Sequence, residues 1–389
     1  MKVAILKEAA PGETRVAMVP AVLGDLRKAG FEVVVEAGAG FRAGFPDQAF
    51  QEAGATVLED AAAVMEGAHA LLRVAPPPPG DTAPTIPRGT VVIGFLAPLD
   101  HPERVQALAD AGVTALSMEM VPRTTRAQRM DALSSQASAA GYRAVLLGAN
   151  HLGRFLPMLT TAAGTLPPAR VLILGAGVAG LQAIATARRL GAVVEAFDVR
   201  PAVKEQVQSL GARFLEPAEA VAAEGAGGYA STLSEDQQAR VEALMSSAVP
   251  QNDMVITTAQ IPGRPAPRLV DASMVEAMRP GSVIVDLAAA SGGNCALTRA
   301  DEVVQHHGVS ILGPTNLAAS LPVHASQMYA RNVASLLLHM VKDGALVVSP
   351  EDEIVAGSCL THGGQVVHPA LRERLGLPPL ATSAPAQEG

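Results

Sequence analysis

Aromatic residues and basic charge are scarce in this chain of 389 residues. Tryptophan is absent, tyrosine occurs three times and phenylalanine eight times, and 37 acidic against 29 basic side chains leave a formal net charge of −8. A surface that binds nucleic acid needs basic patches and aromatic side chains on which bases stack. Nucleic acid is therefore not expected as a partner, and the core must be aliphatic.

Cysteine is also rare, which limits disulfide and metal chemistry. The two cysteines, Cys295 and Cys359, cannot make a multi-bridge framework and neither belongs to a Cys-x-x-Cys pair, so a reducing compartment is expected. No histidine and glutamate have the sequence spacing of a metal site, and we expect no bound metal. His306 and His307 are adjacent and would point apart in a helix.

Long apolar runs are missing as well. A helix that spans a membrane needs about 18 or more apolar residues, and the best candidate, Val333 to Val341, is half that length and contains His339. The N-terminal segment has early acidic residues and no apolar stretch before a cleavage site, so we do not expect a signal peptide. The sequence predicts that this chain does not itself cross a membrane.

Hydrophobic residues make up 49% of the chain, and short β-branched runs alternate with alanine-rich stretches. This alternation is typical of β-α-β units on a parallel sheet, and the length suits two domains. The first series of runs is Val3–Leu6, Val33–Glu36, Val57–Leu58, Leu71–Val74, Val91–Phe95 and Ala115–Ser117. The second series is Arg170–Leu174, Val193–Phe197, Met254–Thr258, Ser282–Asp286 and Ser310–Leu312.

A predicted helix from Met130 to Gly148 connects the two series, with apolar residues at a period close to 3.6. Beyond Pro322 a helical stretch and a glycine- and histidine-rich end are predicted to return to the first domain. The sequence therefore predicts an α/β fold with two doubly wound, Rossmann-like parallel-sheet domains separated by a cleft. The predicted boundaries are 1–135 plus 322–389 for the first domain and 136–321 for the second.

The sharpest motif is GAGVAG, which follows the apolar run Val171–Leu174 and opens an alanine-rich helix. It is the G-x-G-x-x-G pattern of dinucleotide-binding folds in its required context of strand, turn and helix. Its glycines permit a tight turn, a close approach of the backbone to a pyrophosphate, and close packing of helix on strand. The alternative is that they merely make a turn. The candidate cofactor-binding residues here are Gly175, Gly177, Val178, Ala179 and Gly180.

Asp198 stands at the end of the next predicted strand, beyond the glycine motif. A carboxylate at that place accepts hydrogen bonds from the adenosine ribose and repels a 2′-phosphate, which favours NAD(H) over NADP(H). Arg200 weakens this preference, because a guanidinium nearby accommodates a phosphate. Asp198, Val199 and Arg200 are candidate cofactor-binding residues, and the alternative is that Asp198 only caps backbone groups.

Polar side chains are concentrated in VPRTTRAQRMDALSSQ, residues 121–136. If this segment is helical, Gln128, Asp131 and Ser135 share one face that offers amide, carboxylate and hydroxyl groups. Such a set can hold a carboxamide and a ribose. The same composition also suits a solvated helix start, and the residues alone leave both interpretations open.

Several blocks together carry a family resemblance. KEAAPGETRVAMVP, PRTTRAQRMDALSSQ, GAGVAGLQAIATARRLGA, GGYAS and DLAAASGGNC closely resemble the NAD(H)-binding subunit of proton-translocating nicotinamide nucleotide transhydrogenase. The resemblance runs from Met1 to about Leu375, and the linked blocks RAQRMDALSSQ and GAGVAGLQA are far more specific than a glycine motif alone. Alanine dehydrogenase uses the same fold and shares the opening pattern.

The resemblance implies a division of labour between subunits. It implies that this chain binds NAD(H), that a second soluble part binds NADP(H), and that a membrane part moves the proton. The chain resembles the bacterial form in which the NAD(H)-binding part is a separate polypeptide. The expected partners are therefore membrane-spanning and NADP(H)-binding subunits, with this chain as a homodimer in the cytoplasm, held to the inner face of the cell membrane.

The resemblance also implies roles for individual residues. Arg126 is implied to bind the cofactor, and Gly228 and Tyr229 are implied to lie on a loop that closes over it. The glycine-rich sequence EGAGGYAS by itself makes a mobile lid one interpretation of that segment. The residues implied to surround the nicotinamide and to act in hydride transfer are Arg123, Gln128, Asp131 and Ser134.

Two departures separate the chain from alanine dehydrogenases. That family uses a lysine and a histidine to hold and protonate its substrate, whereas LLRVAPP has Arg73 at the expected lysine position and VIGFLAP has no histidine. Of that substrate set only Arg15 remains, so oxidation of an amino acid lacks a general base. A stand-alone amino-acid dehydrogenase is the first alternative function, and a non-enzymatic NAD-sensing module is the second.

Overall fold

The computed structural model describes residues 1–76, 86–217 and 234–380. The chain divides into two compact units, one of Met1–Ser135 with Pro322–Gly389 and one of Gln136–Leu321. The strands in the described residues are β1 Lys2–Ile5, β2 Glu32–Glu36, β3 Thr56–Leu58, β4 Ala70–Leu72, β5 Val91–Gly94, β6 Thr114–Ser117, β7 Leu159–Thr161, β8 Gly164–Leu166, β9 Arg170–Leu174, β10 Val193–Phe197, β11 Arg213–Phe214, β12 Met254–Thr257, β13 Val283–Asp286, β14 Val303–His306, β15 Val309–Leu312, β16 Val341–Lys342, β17 Ala345–Leu346, β18 Cys359–His362 and β19 Gln365–Val366. The α-helices of the same ranges are α1 Pro20–Lys28, α2 Asp47–Glu52, α3 Ala61–Met65, α4 Pro102–Asp110, α5 Ala132–His151, α6 Val178–Arg189, α7 Lys204–Ser209, α8 Glu235–Ala248, α9 Ala272–Glu276, α10 Pro322–His339, α11 Glu353–Ser358 and α12 Pro369–Arg374.

The first unit is built on an eight-stranded sheet in the order β19-β18-β6-β5-β4-β1-β2-β3. Strands β1 to β6 run parallel, with Val3 opposite both Val33 and Ala70. β4 and β5 are buried along their whole length, which suits a parallel sheet covered by helices on both faces. At one edge β18 runs antiparallel to β6 and pairs with β19, so the last strands of the chain complete this sheet.

The second unit has a seven-stranded sheet in the order β11-β10-β9-β12-β13-β15-β14. Every pairing in it is parallel except that of β14 with β15. Strand β9 lies between β10 and β12, so the order reverses direction on either side of it. Ligands of such folds bind outside the carboxyl ends of the strands at this reversal. The carboxyl ends of β9 and β12 meet there, with Leu174 opposite Thr257.

Helix α10 supplies much of the first unit's core. Its buried residues include Tyr329, Val333 and Leu337, which recur at steps of four residues along one helix face. The Tyr329 hydroxyl donates to the Arg73 carbonyl oxygen at 2.6 Å, which fixes the helix against the end of β4. Within the described residues no helix has both the length and the apolarity needed to span a membrane.

The predicted fold class is confirmed, since both units are built on largely parallel sheets. The predicted strand runs lie within a residue or two of the observed strands. The connecting helix differs from its prediction, because Thr125–Met130 is a 3-10 turn and α5 begins at Ala132. His306 ends strand β14 and His307 lies in the following turn, so the helical premise for this pair was wrong.

Candidate functional site

The glycine turn between β9 and α6 contains two glycines that the fold itself requires. Gly175 has φ +97°, and a Cβ there would lie 2.6 Å from Oγ1 of Thr258. A Cβ at Gly180 would overlap the carbonyl oxygen of Gly175. Close contact of helix α6 with strand β9 therefore depends on the absence of both side chains.

Gly177 is different, because nothing in the fold demands a glycine there. Its φ is −74°, which any residue adopts, and the nearest atom to a Cβ would be Nη2 of Arg200 at 3.9 Å. Gly177 is the N-cap of α6, so it offers no side chain to the first helical N–H groups, which belong to Val178, Ala179 and Gly180. An uncapped helix N-terminus with an open approach is an anion site that fits a pyrophosphate.

The Asp198 carboxylate is fully engaged with protein groups. It accepts hydrogen bonds from the Ala176 backbone N–H at 2.7 Å and from the backbone N–H of Arg200 at 2.9 Å. The Arg200 guanidinium adds two more, at 2.9 and 2.7 Å. These four bonds fill the acceptor positions of a carboxylate. The expectation of an acid open to the ribose therefore needs correction, because Arg200 neutralises it, while Val199 packs against the core beside them.

A buried polar network supports the glycine turn from behind. The Thr258 hydroxyl donates to the carbonyl oxygen of Gly175 at 3.0 Å. Asn294 accepts from the Ala259 backbone N–H at 3.1 Å and donates to the Ala259 carbonyl oxygen at 2.8 Å. Both Asp286 oxygens are bonded, to Thr257, Ala288, Cys295 and Thr298. The sequence motifs did not single out these residues, although Asp286 and Asn294 belong to the block DLAAASGGNC.

The polar segment 121–136 does not form one continuous helical face. Gln128 lies in the 3-10 turn, and the backbone of Asp131 breaks the helical path with ψ 83° before α5 begins. The expectation that Gln128, Asp131 and Ser135 share a face was therefore wrong. Asp131 caps α5 instead, accepting from the Ser134 backbone N–H at 2.9 Å and the Ser134 hydroxyl at 2.6 Å.

The exposure of this segment leaves most of its predicted site residues accessible. The side chains of Arg123, Arg126 and Gln128 are exposed, whereas Asp131 and Ser134 are half-buried. We call residues 123–134 the polar loop. It presents cationic and amide groups beside a carboxylate that is already fixed in orientation.

Asn332 of α10 anchors the polar loop, about two hundred residues away along the chain. Its amide nitrogen donates to the Arg129 carbonyl oxygen at 2.9 Å. Its amide oxygen accepts from the Ser135 hydroxyl at 2.8 Å. One side chain thus holds the 3-10 turn and the start of α5 together, and no local sequence pattern points to it.

Comparison with known proteins identifies the family. The descriptions "Alanine dehydrogenase/PNT, N-terminal domain" and "Alanine dehydrogenase/PNT, C-terminal domain" match residues 4–140 and 144–369. An NAD(P) transhydrogenase subunit alpha polypeptide of Rhodospirillum rubrum is 48% identical over 95% of this chain and 99% of its own length. The chain belongs to the NAD(P) transhydrogenase α-subunit family.

Solved structures and more distant relatives agree with that family. A transhydrogenase crystal structure from Sinorhizobium meliloti is 47% identical and matches 94% of this chain and 100% of its own, with a TM-score of 0.85. Alanine dehydrogenase of Bacillus subtilis is 28% identical over 97% of this chain and 95% of its own length. Within the wider family, the transhydrogenase α subunits are therefore much nearer to this chain.

The first unit contains a buried charge cluster around Arg15, the residue shared with the alanine dehydrogenase substrate set. Arg15 is tied to Glu13 by two side-chain bonds of 2.8 and 2.6 Å, and both side chains are buried. With Lys7, Glu8 and Arg42 they line a cavity of about 40 Å³, room for about three water molecules. A free amino acid does not fit there without rearrangement.

Glu8 is a titratable group that the sequence did not reveal. It accepts from the backbone N–H groups of Val74 and Ala75 at 2.6 and 3.2 Å. Burial raises the pKa of Glu8 to about 7, against the opposing effect of the Arg73 guanidinium. A carboxyl group with this pKa is able to exchange a proton at neutral pH. The inference that this chain has no group of that kind was therefore wrong.

Two predicted site residues, Gly228 and Tyr229, lie outside the described residues. Their role in closing over the cofactor stays a prediction.

Proposed function

We propose that this chain is the NAD(H)-binding component of a proton-translocating transhydrogenase, in which hydride passes from NADH to NADP⁺ held by another subunit. The open approach to Gly177 carries the proposal, because the fold gains nothing from glycine there while a bound pyrophosphate requires it. The family supports the same conclusion, since its relatives are named NAD(P) transhydrogenase subunit alpha.

The residues of the chain act by positioning. The proposed pyrophosphate site is the turn at Gly175, Gly177, Val178, Ala179 and Gly180. The proposed adenosine site is Asp198, Val199 and Arg200, and the polar loop contributes Arg123, Arg126, Gln128, Asp131 and Ser134 at the nicotinamide end. NADH supplies the hydride, and no proton is released at the reacting carbons, so the chain needs to orient the donor and leave its reacting face open.

Isotope labelling tests this function directly. NADH that carries deuterium at the transferred C4 position is mixed with NADP⁺, this chain and its cognate NADP(H)-binding subunit, and the NADPH is analysed by mass spectrometry. We expect the deuterium in NADPH, because transfer is direct. Deuterium found in water instead would contradict a direct hydride step.

The subunit arrangement is a further part of the proposal. We infer that membrane-spanning and NADP(H)-binding chains are the partners, and that they hold this chain at the inner face of the cell membrane. A homodimer is supported by the hairpin of β7 and β8, because Phe155, Met158 and Leu166 on and beside it are exposed. Sedimentation of the chain with and without Phe155→Ser and Met158→Ser tests the dimer, and a wild-type monomer would contradict it.

An amino-acid dehydrogenase is the second candidate, and Glu8 is the observation in its favour. Against it, Arg15 is neutralised by Glu13 and the adjacent cavity is small. The test is NADH formation by the purified chain from NAD⁺ and L-alanine. We expect none above the blank, and turnover that is abolished by Glu8→Gln would favour the dehydrogenase.

A further inference from the structure

Three potential metal ligands converge on the second unit, away from the glycine turn. Nε2 of His306 lies 3.0 Å from Oε1 of Glu276, and the His306 and His307 rings are 4.7 Å apart between centroids. One ligand atom from each of the three residues lies within 4.8 Å of the others. His306 is half-buried, while Glu276 and His307 are exposed, so an ion has access from solvent.

The backbone around this cluster is fixed from two sides. The hairpin of β14 and β15 turns through His307 and Gly308, whose φ angles are +49° and +77°. Both angles are those of a type I′ turn, in which asparagine, aspartate or glycine is preferred at the first position. Histidine there is a strained choice for the backbone alone. The backbone N–H of Gly281 donates to the Gly308 carbonyl oxygen at 2.7 Å and anchors the turn.

Glu276 is positioned independently, as the last residue of α9. The Asp271 side chain caps that helix by accepting from the Met274 backbone N–H at 2.8 Å, and Met274 and Val275 are buried. The carboxylate therefore comes from a packed helix and the imidazoles from a rigid hairpin. Two structural elements deliver three ligands to one point, and only the His307 side chain has to turn toward the other two.

We propose that Glu276, His306 and His307 bind a divalent transition-metal ion of the Zn²⁺ class. Imidazole nitrogens and a carboxylate oxygen are the ligands such ions take, at about 2.0–2.2 Å. Two ligand atoms at that distance from a tetrahedral ion are about 3.3 Å apart, close to the 3.0 Å between His306 and Glu276. Water fills the remaining position or positions.

The site is structural in effect. Gly308 neighbours the residues that precede β13, whereas the glycine turn follows the carboxyl end of β9. The ion therefore lies at the opposite end of the second unit's parallel strands from the turn, and it joins α9 to the edge hairpin. Binding only to the folded chain raises its stability. NADH binding is expected to be unaffected.

The test uses the full chain without an affinity tag, stripped of metal with a chelator and titrated with ZnCl₂ by calorimetry. The variants are His307→Asn, which suits the turn, and His306→Gln. The matched control is His101→Gln, because His101 also pairs with a glutamate, Glu103, at 3.1 Å but is not among residues that form a three-ligand group. NADH affinity of each variant reports that the second unit is folded.

We expect one Zn²⁺ per chain in the wild type and in His101→Gln, with affinity lowered at least about tenfold in His307→Asn and His306→Gln. Zn²⁺ should raise the thermal unfolding midpoint of the wild type and not that of His307→Asn. Zn²⁺ affinity that is unchanged in both site variants, or no saturable binding by the wild type at millimolar Zn²⁺, would overturn the proposal and leave His306 and Glu276 as an ordinary ion pair.

Discussion

Arg200 and Asp198 form the charge pair on which the choice of dinucleotide depends. An acid at the end of β10 disfavours a 2′-phosphate only as far as its charge is felt there, and the Arg200 guanidinium lies on that acid at 2.7 Å. The same guanidinium is the nearest side-chain group to Gly177. The preference for NADH is therefore set by the balance of two opposite charges at the mouth of the turn.

We predict that the wild type binds NADH more tightly than NADPH and that Arg200→Ala increases the preference. Removing the guanidinium leaves Asp198 uncompensated, which should raise the ratio of the two dissociation constants about tenfold, or about 1.4 kcal/mol. Asp198→Asn should lower the ratio. Titration by nicotinamide fluorescence measures both constants.

Arg213→Ala is the control for this experiment, because it also removes an arginine paired to an acid, Glu195, in the same sheet. Its ratio should equal that of the wild type. An unchanged ratio in Arg200→Ala would show that the pair does not govern the preference.

Glu8 gives the first unit a pH dependence of known sign. Its folded-state pKa of about 7 is above the ordinary value of 4.5, so the folded state holds the proton more strongly than the unfolded state does. The free energy of unfolding should therefore fall as pH rises from about 4.5 to about 7, by up to about 3 kcal/mol from this group. Glu8→Gln should flatten that decline in urea unfolding, whereas exposed Glu66→Gln should not; an equal slope in Glu8→Gln and wild type would refute the assignment.

At the scale of elements, the turn between β9 and α6 separates glycines by purpose. Gly175 and Gly180 are needed for the strand, turn and helix to meet, and Gly177 is needed only for what binds there. The sequence predicts this element well, because its determinants lie within one short stretch of chain. It does not predict that Thr258 supports the turn, because that contact joins residues far apart in the chain.

We predict opposite effects for two alanine substitutions in this turn. Gly177→Ala should raise the dissociation constant for NADH at least about tenfold while the free energy of unfolding stays within about 1 kcal/mol of the wild type. Gly180→Ala should lower that free energy by about 1–3 kcal/mol, because its Cβ overlaps the Gly175 carbonyl oxygen. Gly153→Ala, at another open position, is the control. Wild-type NADH affinity in Gly177→Ala would rule out the proposed pyrophosphate site.

The polar loop depends on a helix that is remote in sequence. Asn332→Ala removes both bonds that hold the loop to α10, so the single-turnover rate of hydride transfer should fall about tenfold or more through lost positioning. The dissociation constant for NADH should change less than about threefold, because the pyrophosphate turn is untouched. Ser335→Ala is the control and should have no effect, because the Ser335 hydroxyl donates to the Arg331 carbonyl oxygen of its own helix. Gln128→Ala should behave like Asn332→Ala, and a loss confined to binding would show that the loop grips the cofactor.

At the scale of the whole molecule, composition and periodicity were enough to predict two largely parallel α/β sheets. Short apolar runs and glycine turns are local signals, and they located the strands within a residue or two. The polar loop was harder, since the helical break at Asp131 depends on capping geometry. The raised pKa of Glu8 and the anchoring by Asn332 follow from burial and long-range packing, which no single stretch of sequence records.

The central claim is that the chain holds one half of a transhydrogenase and is inactive alone. The full sequence contains one G-x-G-x-x-G motif directly after an apolar strand run, where transfer between two bound dinucleotides needs two sites. The most direct measurement is reduction of an NADP⁺ analogue by NADH, followed for the purified chain and again after adding the cognate NADP(H)-binding subunit. We expect NADH binding without reduction by the chain alone and rapid reduction once the partner is present. Reduction by the chain alone, or none with a folded partner that binds NADP⁺, would contradict the account.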